Sequence, residues 1–140
     1  MNSQKLILGG IVGGVVFFLL GWLLFGTLFK DFFTENGGTA MKDPPIFWAL
    51  ILGNLFLGFL LAYILGRANV GSAGGGAGTG FVVGLLMSAG VNLIMYATSA
   101  TPMETKVIGA HVACIVVMWT ITGAVVGWVL GMRKKTVAAA

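Results

Sequence analysis

Four long apolar segments, none carrying a charged side chain in its interior, constrain this chain more than any other feature. A bilayer core about 30 Å thick takes roughly 20 apolar residues in helical form. Segments of that length run over about 6–29, 45–66, 76–98 and 106–132. Lys5 and Lys30 bracket the first; Pro44-Pro45 opens the second and Arg67 closes it. Arg133, Lys134 and Lys135 close the fourth. Proline in a first helical turn loses no hydrogen bond, so the pair suits the start of a helix. Composition agrees: 9% of the 140 residues are charged and the mean hydropathy is +1.01, where a soluble domain carries about 25% charged residues. The expectation is an all-α, polytopic integral membrane four-helix bundle, one transmembrane domain over 1–140, with the lipid bilayer as its solvent.

Orientation follows from Lys and Arg. One side holds Lys5, Arg67, Arg133, Lys134 and Lys135; the other holds Lys30, Lys42 and Lys106, with all four acids, Asp31, Glu35, Asp43 and Glu104. Both termini are therefore expected in the cytoplasm, across a cell inner membrane. The first span is too long for a signal-peptide core of about 7–15 residues, and no small-residue cleavage site follows it. The net charge of +4 is dispersed between lipid-length segments, which reads as membrane orientation and not as a nucleic-acid surface.

Small residues recur every four positions on each span, the spacing that lets helix backbones approach in lipid. The first has Gly9-Gly13 and Gly10-Gly14, the second Asn54-Gly58-Ala62-Gly66, the third Gly84-Ser88-Asn92 continued by Tyr96, and the fourth Gly123-Gly127-Gly131. These read as close-packed helix contacts, within the chain or between copies, and they suggest a homo-oligomer or a place in a larger membrane complex. The doubled glycines of the first span give it two adjacent contact faces. The stretch "NVGSAGGGAGTG" (Asn69 to Gly80) lacks the Lys-Ser/Thr of a phosphate-binding loop. It reads as a flexible linker fraying into the third helix. Phe32 and Phe33, in the outer connection, are expected in a short interfacial turn dipping toward lipid.

Polar residues inside a membrane are functional candidates. At about 1.5 Å per residue, Asn54, Asn92 and His111 fall at one level, roughly 8–12 Å from the outer ends of their helices, with Trp22 nearby and Ser88 one turn deeper. They read as an interhelical polar clamp or as a small pocket for a polar head group. Trp48 and Trp128 fit an aromatic belt. A lone histidine with no Cys, Asp or Glu at its depth is a poor metal or haem set, so neither cofactor nor metal is expected. Cys114 reads as a small buried hydrophobe. No Ser-His-Asp or paired-carboxylate arrangement occurs at plausible depth, and no intramembrane carboxylate, Lys or Arg suggests ion transport.

At "FFLLGWLLFGTLFKDFF" (Phe17 to Phe33) the chain resembles a family of small bacterial four-helix membrane proteins of unknown function, domain of unknown function family 1761. Gly21-Trp22 and Leu28-Phe29 match its first helix, with Leu23 where the family has tyrosine. "GTGFVVGLLMSAG" and "TGAVVGWVLG" resemble its Gly-rich third and fourth helices. The resemblance implies an inner-membrane four-helix fold and no activity. The residues themselves point to a non-enzymatic structural, scaffold or accessory subunit. The alternative is a binding or transport protein for a small molecule, lipid or pigment, with a pocket near Asn54, Asn92 and His111.

Overall fold

The computed structural model describes residues 2–36, 44–101 and 103–139, with side chains as far as Met132. Most of the outer connection, including Lys42 and Asp43, lies outside the described residues. The elements are α1 (Ser3–Leu23), a π-helical turn (Leu24–Leu28), α2 (Lys30–Glu35), α3 (Phe47–Arg67), α4 (Ala73–Thr98) and α5 (Thr105–Ala139), and no strand occurs among the described residues. Ser3–Leu28, Phe47–Arg67, Ala73–Thr98 and Thr105–Met132 are each long and apolar enough to cross a membrane, with mean hydropathies between 1.8 and 2.4. The chain is an all-helical, multi-pass membrane bundle.

Local chemistry sets the helix ends. Asn2 caps α1, its Oδ1 accepting from the Gln4 N–H at 3.0 Å, as N-cap residues do. Asn69 turns the chain after α3 with a φ of 54°, a left-handed conformation that asparagine tolerates better than most residues. Ser72 then caps α4, its Oγ accepting from the Gly75 N–H at 3.1 Å. This cap overturns the expected linker: Gly74 to Gly80 are helical, and α4 starts at Ala73. A run of glycines is a poor helix by propensity, but Gly76 and Gly80 face α5 backbone, so packing overrides it. At the other extreme α5 continues past Met132 to Ala139, since nothing in "RKKTVAA" breaks a helix.

The helices join in two antiparallel hairpins, α1 with α3 and α4 with α5. Backbone contact closes each. In the first, a Cβ added to Gly58 would stand 2.8 Å from the Gly13 carbonyl carbon, and one on Gly14 would stand 2.9 Å from Leu55 Cα. In the second, a Cβ on Gly76 would stand 2.8 Å from the Gly123 carbonyl carbon, and one on Gly127 would stand 3.0 Å from Gly76 Cα. Gly131 meets the Gly71 backbone in the α3–α4 turn. Real Cβ atoms do not approach backbone so closely, so only glycine permits these seams. The stripes on α1, α3 and α5 are thus engaged within one chain, joined by Gly76 and Gly80, which the linker reading had set aside.

Large side chains join the hairpins to each other. Phe17, Leu61, Leu65, Met118, Trp119 and Val126 form the main core, with Phe17 edge-on to Trp119 at a ring separation of 5.1 Å and 64°. The two faces of α1 are visible here. Gly10 and Gly14 meet Phe59 and Leu55 of α3, while Gly9 and Gly13 look into the junction with α5, where a Cβ added to either would stand within 3.5 Å of Val126. In lipid such packing stabilises through dispersion and close fit, because lipid tails are as apolar as the side chains. The helix α4 packs almost wholly on α5 and barely touches α3. It therefore forms one edge of the bundle.

Candidate functional site

At the end opposite the termini a second, smaller core gathers around Phe33, Val107 and Cys114. The π-helical turn prepares it. The Phe29 N–H donates to the Leu24 carbonyl at 2.9 Å, a five-residue step that rotates the succeeding residues relative to a regular helix. Phe25 then faces α5, and the chain leaves α1 into the short α2. Phe33 of α2 folds inward, 8% exposed, and packs tilted against Phe25 with ring centres 5.4 Å apart. The expectation that Phe33 dips toward lipid is therefore wrong. A buried aromatic cluster was available to it, and Phe32, half-buried and edge-on to Phe33 at 5.5 Å, completes the cover.

His111 lies inside this cluster, its ring 5.4 Å from Phe25 and 6.2 Å from Phe33. From α4 a ladder of side chains reaches it. The Ser88 hydroxyl donates to the Gly84 carbonyl at 2.6 Å, and Asn92 Nδ2 donates to the Ser88 carbonyl at 2.7 Å. The same Nδ2 lies 3.1 Å from His111 Nδ1. These contacts fix the proton. A carbonyl only accepts, so the atom facing Ser88 must be the amide nitrogen. An amide nitrogen does not accept, so the contact with His111 is a hydrogen bond in the tautomer that leaves Nδ1 bare and carries the proton on Nε2. Nε2 has no hydrogen-bond partner among the described residues. Asn92 is 3% exposed and Ser88 is also buried, so the ladder is a packed interhelical contact with one donor left over.

Of the five residues expected to form a polar cluster, the structure brings together Ser88, Asn92 and His111. Asn54 stays apart: its Nδ2 donates to the Leu50 carbonyl of its own helix at 2.7 Å. Trp22 also stays apart, 58% exposed and tilted against Phe18 at 6.3 Å. The shared depth was real information, but depth does not fix azimuth. The helix α3 lies across α1, away from α4, and Trp22 leaves α1 on its outer side. Sequence reading missed Phe25 and Phe33. Their signal was an aromatic at each end of a segment that changes from helix to turn, too weak to read without the π-helical step. Among the described residues no group of three or more His, Cys, Asp or Glu side chains could hold a metal ion.

Two further features frame the site. Trp119 closes the inner side of the ladder: a Cβ on Gly84 would stand 2.6 Å from Trp119 Cβ. The Thr122 hydroxyl, fully buried one turn below, has no hydrogen-bond partner, although Thr120 Oγ1 donates to the Val116 carbonyl at 2.7 Å. No protein family, curated protein or solved structure matches this chain.

Proposed function

We propose that this protein is a non-enzymatic structural or accessory subunit of a cell inner membrane, assembling as a homo-oligomer or within a larger membrane complex, with both termini cytoplasmic. The observation that carries the reading is the outer surface of α4. Gly74 and Gly78, one helical turn apart, are exposed with open space where a Cβ would point. The glycines on the opposite side of the same helix are engaged by α5. Small-residue pairs at this spacing admit a neighbouring helix closely, and α4 has no neighbour on this side within the chain. The test is the mass of the assembly in mild detergent. Wild type should run as a multiple of its 14.6 kDa chain or with stoichiometric partners, and Gly78→Leu should release single chains that remain folded. A monodisperse single chain in both would sink the proposal. Maleimide labelling of Ser72→Cys and Ser99→Cys in intact cells tests the orientation; labelling at Ser72 from the periplasm overturns it. Cys114 is buried and adds little background.

A second reading rests on His111 Nε2. An imidazole N–H on a ring packed beside Phe25 and Phe33, near one membrane surface, suits an acceptor such as a carbonyl of a lipid or other small molecule. Native mass spectrometry of protein extracted from its own membrane tests it. The reading requires a retained non-protein mass that His111→Ala loses while assembly is unchanged; no such mass in wild type ends it.

A further inference from the structure

The opposite end of the bundle holds a different chemistry. Where α1 begins, α3 ends and α5 passes, a cavity of about 80 Å³ opens between Asn2, Lys5, Asn69 and the Gly66 and Gly71 backbone. Leu65 and Leu130, both buried, form its apolar floor. The cavity therefore grades from hydrocarbon to polar over its depth, as a membrane interface does.

Lys5 is the only cation lining it, half-buried and without an ion pair among the described residues. Among the described residues no carboxylate side chain is placed to reach it. Asp31 and Glu35 of α2 and Glu104 before α5 lie a membrane span away, and Asp43 falls between α2 and α3 in sequence. The Asn69 amide on the rim is exposed and has no hydrogen-bond partner among the described residues. The start of α1 is not what offers the site, because Asn2 already occupies it: Asn2 Oδ1 accepts from Gln4 N–H, and its carbonyl accepts from Lys5 and Leu6 N–H at 3.1 and 3.2 Å. What remains is an ammonium, a free amide and an apolar floor at interface depth.

We infer that this cavity binds a phosphate-bearing anion, with the phosphodiester of an anionic phospholipid as its ligand. Lys5 Nζ and Asn69 Nδ2 donate to the phosphate oxygens, and the glycerol end of the lipid lies against Val70, the half-buried apolar residue of the lining. A basic pocket between spans is a recognised setting for anionic head groups, and charge-assisted bonds to phosphate are the strong ones. Arg67, which ends α3, adds to the field on the same side.

Native mass spectrometry in zwitterionic-lipid nanodiscs, titrated with phosphatidylglycerol and separately with phosphatidylcholine, tests the inference. Wild type should take up one phosphatidylglycerol in preference. Lys5→Gln should weaken that affinity about tenfold, the loss of one charged hydrogen-bond donor. Asn69→Gly, which keeps the left-handed turn and removes the amide, should weaken it less. Lys30→Gln, equal in charge loss but at the other end, should leave it unchanged. Adding inorganic phosphate separates the sources: failure to displace the lipid supports the phospholipid, whereas displacement at millimolar phosphate overturns it in favour of the free anion. Equal uptake of the two lipids, or equal effects of Lys5→Gln and Lys30→Gln, also overturns it.

Discussion

Four glycines on one helix allow a test in which chemistry is constant and only the neighbour differs. Gly74, Gly76, Gly78 and Gly80 all lie in the first turns of α4. A methyl on Gly74 or Gly78 meets nothing within 4 Å, whereas one on Gly76 or Gly80 drives into the α5 backbone. At Gly80 it would stand 2.9 Å from the Trp119 carbonyl carbon and 3.3 Å from Thr120 Cα, with the Trp119 carbonyl oxygen nearer still. Backbone cannot rotate aside, so α4 and α5 must part by roughly 0.5–1 Å, a gap that forfeits a quarter to a half of each atom pair's attraction across the seam. Over some tens of pairs at about 0.1–0.2 kcal/mol each, the loss is about 1–3 kcal/mol, in the range of overpacked cores. Replacing glycine by alanine also returns up to about 1 kcal/mol of helix propensity at every position. Gly78→Ala should thus be neutral or slightly stabilising, and Gly80→Ala destabilising by about 0–2 kcal/mol net. The difference between the two, about 1–3 kcal/mol, is the quantity to measure. Reversible unfolding in mixed micelles, at a detergent excess that disperses copies, reads it directly. If Gly78→Ala and Gly80→Ala shift stability equally, the α4–α5 seam is not a backbone contact, and the account of the fold fails with it.

Other substitutions probe the packing beside the ladder. Thr122→Val removes a buried hydroxyl that has no partner and should be neutral or stabilise the bundle by up to about 1 kcal/mol; a loss above that would mean the hydroxyl is bonded. For the Asn92–His111 contact, a double-mutant cycle of Asn92→Leu and His111→Phe should return a coupling near the average of about 0.6 kcal/mol for interhelical bonds in membranes, and no more than about 1.7 kcal/mol. A coupling of zero would remove the argument that fixes the imidazole proton. Phe33→Ala, which strips the cover from His111, should destabilise by about 3 kcal/mol and speed modification of His111 by diethyl pyrocarbonate. Unchanged reactivity would show that α2 does not shield the ring.

The parts legible in the sequence were those set by one-dimensional quantities. Lipid-length runs between Lys5, Lys30, Arg67 and Arg133 place four spans within a few residues of their observed ends, because charge and apolar length are local. The depth of Asn92 and His111 is local too, and those residues do meet. What could not be read is which way a residue faces on a helix that is apolar all round. Without a polar side, Trp22 and Asn54 look as central as His111, and only the packing of α3 on α1 sends them elsewhere. The run from Asn69 to Gly80 failed for a related reason: helix propensity, a property of the isolated chain, argued for a linker. The partner backbone made those glycines necessary.

That reversal bears on how the two hairpins assemble. Where Gly58 meets Gly10, Gly13 and Gly14, or Gly76 meets Gly123, nearly all contact is backbone to backbone, and the pairing partners are adjacent in sequence. Between hairpins the contact is Phe17, Leu61, Trp119 and Val126, large side chains that tolerate substitution of similar volume. Each hairpin can therefore close as soon as its second helix is inserted, and the inter-hairpin core forms afterwards. A change at Gly76 or Gly123 should disturb its own hairpin before the whole molecule, whereas Phe17→Leu should loosen the two hairpins from each other. The ladder from Ser88 to His111 lies within the α4–α5 hairpin, but its cover, Phe25 and Phe33, comes from the α1 side. The polar contact can thus form in the hairpin alone, while its aromatic enclosure waits for the full bundle.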